Sequence, residues 1–124
     1  MFRGKRIDNG EWVEGDLSRC VVVGETHIRR IEDNLSTTTH RIDPETVCQY
    51  TNYTDLRKKK AFEHDIIFYE DRQCHGHIVF KDGCFLIEWE KGREDLKSDI
   101  HFWFMERRVY VVGNVFDNPE LLNQ

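Results

Sequence analysis

The stretch HGHIVFKDGCFLIEWE, residues 75–90, constrains this chain more than any other. Asp-Gly accepts the two positive φ angles of a type I′ turn, and on either side apolar and polar residues alternate with the period of a strand. A two-residue turn at Asp82-Gly83 sets the register: Phe80 faces Phe85, Val79 faces Leu86, Ile78 faces Ile87, His77 faces Glu88 and Gly76 faces Trp89. One face then carries Ile78, Phe80, Phe85, Ile87 and Trp89, a continuous apolar set expected to face the core, with Trp89 lying over Gly76. The other face carries His75, His77, Glu88 and Glu90, with Val79 and Leu86 nearer the turn.

Elsewhere the signals are also those of strands. Asn9-Gly10 between Ile7 and Trp12 predicts a hairpin with a type I′ turn, and CVVVGETHIRRI predicts a second, weaker one around Gly24. Residues 32–41, EDNLSTTTHR, are polar and without period and read as a loop. Pro44 pushes Asp43 toward extended geometry, and a short strand follows it, with Val47, Gln49 and Thr51 alternating with Cys48 and Tyr50. A further strand is expected from Phe62 to Tyr69, ended by the polar EDRQ. The Phe and Val content of IHFWFMERRVYVVGNVF favours strands on both sides of Arg107-Arg108, with a bulge at Gly113-Asn114. At the end, Asn118 as cap and Pro119 at the first helical position predict one short helical turn that packs Leu121 and Leu122 back.

At 124 residues the chain is long enough for one domain, or for two small β lobes sharing a core. The lobes divide as residues 1–60, an N-terminal β lobe with its loop, and 61–124. The net charge is −5, distributed as +1 over residues 1–60 and −6 over 61–124. That balance opposes long-range attraction to nucleic acid or to an anionic membrane, and it lets the acidic half repel DNA or mimic it. Cys20, Cys48, Cys74 and Cys84 lack CxxC spacing and follow no charged-then-apolar leader, so they read as reduced thiols of a cytoplasmic protein. No apolar run approaches the length of a membrane span.

Candidate chemistry is sparse. In the hairpin register His77 faces Glu88 and His75 faces Glu90, a set of ligands that zinc or iron accepts. Cys74 points to the opposite face and Cys84 lies near the turn, so the thiols do not join them. Cross-strand pairing of His with Glu accounts for the same residues without a metal, and the reading taken is a metal-free, solvated ladder whose ion pairs form near or below pH ~6.5. Arg29 and Arg30, and the run Arg57, Lys58, Lys59 and Lys60, are the candidate phosphate contacts; beside an exposed Tyr50 or Tyr53 they would suit a single strand. As a plain solvated connection the run needs no ligand. Glu63 and Asp65 form a carboxylate pair, but such residues at strand ends more often cap turns. No Gly-rich phosphate loop, GxSxG or HExxH is found.

FRGKRIDNGEWVEGDL at the start, PETVCQYT and FEHDIIFY in the middle, and VVGNVFDNPELL at the end together resemble the YopX family of small proteins carried by phages and prophages. Residues 18–41 and 90–108 carry no part of the likeness. Three glycines of the family pattern are replaced, by Cys48, Asn52 and His64; Asn52 still tolerates left-handed geometry. The resemblance implies a mainly β protein whose C-terminal lobe is an SH3-type small barrel, encoded by a bacterium or its phage. It implies no activity and no catalytic residues.

Three functions are ranked. A non-catalytic module or assembly component that binds an unknown protein comes first, from the aromatic content, the acidic half and the strand edges of a small barrel. Self-association stays open, with Trp12, Phe102 and Trp103 suited to core or interface. Nucleic-acid binding is second, opposed by the charge, and an enzyme is last. No cofactor, metal or membrane partner is expected.

Overall fold

The computed structural model describes residues 1–20, 22–32, 36–106 and 108–122. The chain divides into two units, Met1–Tyr50 and Thr51–Gln124. Both are built from antiparallel strands.

The first unit runs β1 (Phe2–Lys5), β2 (Trp12–Cys20), β3 (Glu25–Ile31), β4 (Thr37–Ile42), a 3₁₀ turn at Pro44–Thr46, and the opening residues of β5 (Cys48–Thr54), in the sheet order β4-β3-β2-β1-β5. The hairpin at Asn9-Gly10 forms, but Lys5 is the last residue of β1 to pair, opposite Trp12, so its connection is longer than a type I′ turn. The reason is competition. The Ile7 N–H donates to the Arg41 carbonyl at 3.0 Å, which draws that residue off the hairpin, while Arg6 bridges to Ile42 yet still donates to the Glu11 carbonyl at 2.9 Å and accepts the Gly10 N–H at 2.9 Å. Gly10 alone supplies the positive φ, at 74°. The second hairpin turns at Gly24, whose N–H donates to the Cys20 carbonyl at 2.8 Å.

Residues 32–41 are not the loop the sequence suggested. Thr37–Ile42 is β4, paired with β3 from Ile31↔Thr37 to Thr26↔Ile42; residues 33–35 lie outside the described set. Only Ile42 of this strand is buried, so an outer strand made largely of threonine shows no apolar alternation. Val13, Ile28 and Ile42 form the small core, with Leu17 and Val47 against it. Asp43 is extended as a pre-proline residue should be, and its Oδ1 accepts the Glu45 N–H at 3.1 Å.

In the second unit the rest of β5 pairs with β6 (Lys60–Phe62). There follow β7 (Asp65–Tyr69), β8 (Cys74–Lys81), β9 (Cys84–Trp89), α1 (Ile100–Glu106), β10 (Val109–Asn114) and a closing 3₁₀ turn at Pro119–Leu122. The hairpin register read from Asp82-Gly83 is the one observed, from Gly76↔Trp89 to Phe80↔Phe85, with φ of 52° and 83° at the turn. Ile78 and Ile87 are buried, whereas Phe80 is 46% exposed, so the apolar face outruns the core near the turn.

Three local expectations change. Phe62 to Tyr69 is two strands, because His64 takes φ 72° and the Asp65 Oδ2 accepts the Phe62 N–H at 2.8 Å, turning the chain at Glu63-His64. Residues 100–106 form a helix instead of a strand. The Asp99 Oδ1 accepts the His101 N–H at 3.0 Å, and Ile100, Trp103 and Phe104 fall at helical spacing on one buried face. Trp103 packs against Trp89 and Tyr69, and the indole N–H of each Trp donates to the Lys97 carbonyl. Finally, Asn118 stands at the cap position, its carbonyl accepting the Leu121 N–H at 3.1 Å, but its side chain accepts from the Asn114 N–H. The expected bulge is present, as a register shift between Val111 and Gly113.

Among the described residues the sheet β10-β7-β8-β9 does not close into the C-terminal SH3-type barrel that the resemblance implied. Its edges are occupied otherwise: the Ile87 N–H of β9 donates to the Ser98 carbonyl at 2.9 Å, and the Val111 N–H of β10 donates to the Asp55 Oδ2 at 2.9 Å. Of the replaced glycines, Asn52 (φ 70°) and His64 (φ 72°) keep left-handed backbone, while Cys48 is fully buried on β5.

Candidate functional site

Strand alternation gives the second unit's sheet two faces. Ile67, Tyr69, Cys74, Ile78, Ile87, Val109 and Val111 look inward to the core shared with α1. On the outer face the registers place Tyr110 opposite Phe68 and Phe68 opposite His75, a row of three rings across β10, β7 and β8. All three are half-buried. The Phe68 and His75 rings are 5.1 Å apart, and the Arg57 guanidinium stands 4.5 Å over the Tyr110 ring, within cation–π range. The Tyr110 hydroxyl donates to the Glu70 carboxylate at 3.4 Å, and Arg108 lies 3.9 Å from the same oxygen. Arg57, Phe68, Glu70, Tyr110 and Val112 line a groove.

What positions Arg57 is a residue that sequence reasoning passed over. Asp55 follows β5 and is 5% exposed. Its Oδ1 accepts the N–H groups of Arg57 and Lys59, each at 2.9 Å, and its Oδ2 accepts the Val111 N–H at 2.9 Å. One side chain thus shapes the basic loop and ties it to β10 beside Tyr110. The loop-shaping half was legible: an Asp that opens a polar turn commonly accepts from the amide two residues on. The tie to β10, 56 residues away in sequence, was not.

The predicted residues scatter. His77 Nε2 is 3.8 Å from Glu88 Oε2, but Glu88 Oε1 is held by Lys81 Nζ. That lysine bond holds the Glu88 carboxyl below its ordinary range. Burial pushes the His77 imidazole down, with Glu88 opposing, so its ion pair needs a pH below that of an ordinary histidine. The side chains of His75 and Glu90 are not the second rung: Glu90 lies 3.9 Å from Arg93, while the His75 ring packs tilted against Phe68. The backbone register holds, with the Glu90 N–H donating to the His75 carbonyl at 3.0 Å, but the Glu90 carboxylate turns to Arg93. Among the described residues no three His, Cys, Asp or Glu side chains gather as a metal ion requires. Burial raises the Cys74 thiol, and Cys84 is exposed at the turn.

Arg29 and Arg30, in the first unit, are matched by Asp16 at 3.6 Å and Glu32 at 3.8 Å. Arg57, Lys58, Lys59 and Lys60 are all exposed. Asp65 is buried as a turn cap and Glu63 sits 3.6 Å from His64, so the carboxylate pair is divided between two tasks. Tyr53 bonds His101 Nδ1 at 2.9 Å.

Two antiparallel sheets, one with an open aromatic and cationic face, define a mainly β protein. The YopX protein family model matches residues 1–123, and the chain belongs to that family. Its fold is similar to that in the crystal structure of protein EF1440 from Enterococcus faecalis, with a TM-score of 0.59 over 98% of this chain and 96% of that one at 20% identity. No curated protein matches the chain. Among the described residues no helix is long and apolar enough to cross a membrane.

Proposed function

We propose that the protein is a non-catalytic binding module and that the outer face of the second unit's sheet is its working surface. The observation that carries this is the row Tyr110, Phe68 and His75, left half-buried with Arg57 pinned over its end. Aromatic rings and arginine supply most of the energy at binding surfaces, and a ring held rigid by its neighbours loses little entropy when it is covered. A protein partner, as in an assembly component, and a nucleic acid are the two classes such a face accepts; Arg57 over Tyr110 favours keeping the second.

The module is read as a cytoplasmic, phage- or prophage-borne protein, with which its free cysteines agree.

Immobilised wild-type protein and a Phe68→Leu, Tyr110→Leu variant, both verified folded by circular dichroism, are exposed to bacterial extract, and bound proteins and nucleic acids are both identified. One macromolecule retained by wild type and lost by the variant is expected. Retention of nothing, or equal retention by both proteins, overturns the assignment.

A further inference from the structure

We infer that this face holds single-stranded nucleic acid, with bases stacked on Phe68 and Tyr110 and phosphates drawn to Arg57, Lys58 and Lys59; the inference rests on the binding reading above. The chain's charge of −5 opposes it globally, so the local balance decides. The glutamates of the outer face each have a cation: Glu70 has Arg108, Glu88 has Lys81 and Glu90 has Arg93. The side chains of Arg57, Lys58 and Lys59 form no ion pair among the described residues. At the Arg57 end of the row, three cations stand against the single carboxylate of Asp55, which is spent on backbone N–H groups, so positive charge is in excess on an exposed loop.

Geometry adds to charge. Neighbouring strands place their side chains about 4.8 Å apart, so rings on β10, β7 and β8 form a stepped platform. A four-stranded sheet with aromatic side chains on its open face is a general solution for stacking two or three unpaired bases. The platform is bounded on β7, where Ile66, next to Phe68 on the outer face, is fully buried, and the C-terminal 3₁₀ turn packs on β8. Duplex bases keep their π-faces covered by one another and offer this row nothing to stack. A protein partner is the weaker match, because Lys58 and Lys59 are of a residue type depleted from such interfaces, while Arg57 suits either partner.

Fluorescence anisotropy with a labelled oligothymidine of about 12 nucleotides, against a duplex of the same length, tests this at low and moderate salt. Wild type is expected to bind the single strand at least about tenfold more tightly than the duplex. Phe68→Leu and Tyr110→Leu, which keep apolar bulk but remove the ring, each weaken binding by about 5- to 150-fold, and Tyr110→Phe retains it. Lys58→Gln with Lys59→Gln reduces the slope of log affinity against log salt by roughly 1.4, the value for two phosphate contacts on a single strand. No saturable binding, equal duplex affinity, or leucine variants equal to wild type overturns the inference. If oligonucleotide fails while a protein is captured through the same residues, this inference falls and the binding reading stands; if neither binds, both fall.

Discussion

Asp55 should be the most costly surface-loop residue to replace in the second unit. Its carboxylate accepts three backbone N–H groups at 2.9 Å each, from Arg57, Lys59 and Val111. In Asp55→Ala the loop amides of Arg57 and Lys59 regain water, at about 0.5 kcal/mol each. Val111 is 3% exposed, and its N–H, left without an acceptor, costs about 1–3 kcal/mol. Small terms for the lost turn bring the total to roughly 3 kcal/mol, a large part of the ~5–15 kcal/mol that holds a domain together. Asp55→Asn keeps an oxygen for the loop but turns an NH₂ donor toward the Val111 N–H, at a cost of about 2 kcal/mol. Urea denaturation followed by far-ultraviolet circular dichroism measures both. With a slope of about 1–3 kcal/mol per M, the alanine variant's midpoint falls by roughly 1–3 M at constant slope. A loss under ~0.5 kcal/mol in Asp55→Ala would refute the reasoning. So would an asparagine variant as stable as wild type, since the Val111 bond would then carry nothing.

In the hairpin, Ile87→Ala should cost about 2–5 kcal/mol in the same assay and Phe80→Ala less than ~1 kcal/mol, because Ile87 is buried and Phe80 is 46% exposed; equal losses would contradict the observed register. Gly15→Ala in the first unit places a Cβ 2.2 Å from the Arg29 backbone oxygen and should cost about 2–3 kcal/mol or more. Gly24→Ala meets open space and carries only the ~1 kcal/mol of its positive φ, so matching losses at the two sites would show that the β2–β3 contact is not tight. His77 faces Glu88, Lys81 and His64, and its depressed pKa means that the unfolded chain takes up its proton first as pH falls below ~6.5. Stability should therefore drop with falling pH from ~6.5 to the folded pKa, and His77→Gln should flatten that limb. Glu88, also depressed, loses its contribution only in more acid solution, so a limb unchanged in the His77→Gln variant excludes the histidine as its source.

Local chemistry made much of the fold legible. Asp82-Gly83 dictated a turn, the turn dictated a register, and alternation then separated Ile78 and Ile87 from His77 and Glu88, all within sixteen residues of chain. The left-handed backbone of Asn52 was legible only through the family resemblance, as the replacement of a glycine by a residue that tolerates that geometry. Where reading failed, two local preferences competed and something distant chose between them. Phe102, Trp103 and Phe104 favour strand by propensity, yet they became helix because Asp99 caps that end and the rings of Tyr69 and Trp89 wait for one helical face. Thr37–Ile42 lacked any pattern and became a strand because β3 offered it a ladder. The candidate site shows the same division. The basic run from Arg57 to Lys60 was visible as charge, and Phe68, His75 and Tyr110 as separate strand residues. Their meeting depended on strand registers that bring β10 beside β7, and on Asp55 reaching the Val111 N–H. Sequence determines what each segment can pair or turn with over a few residues; only the tertiary structure decides which distant segment supplies the partner, because that choice is made by packing and by hydrogen-bond donors that no local pattern records.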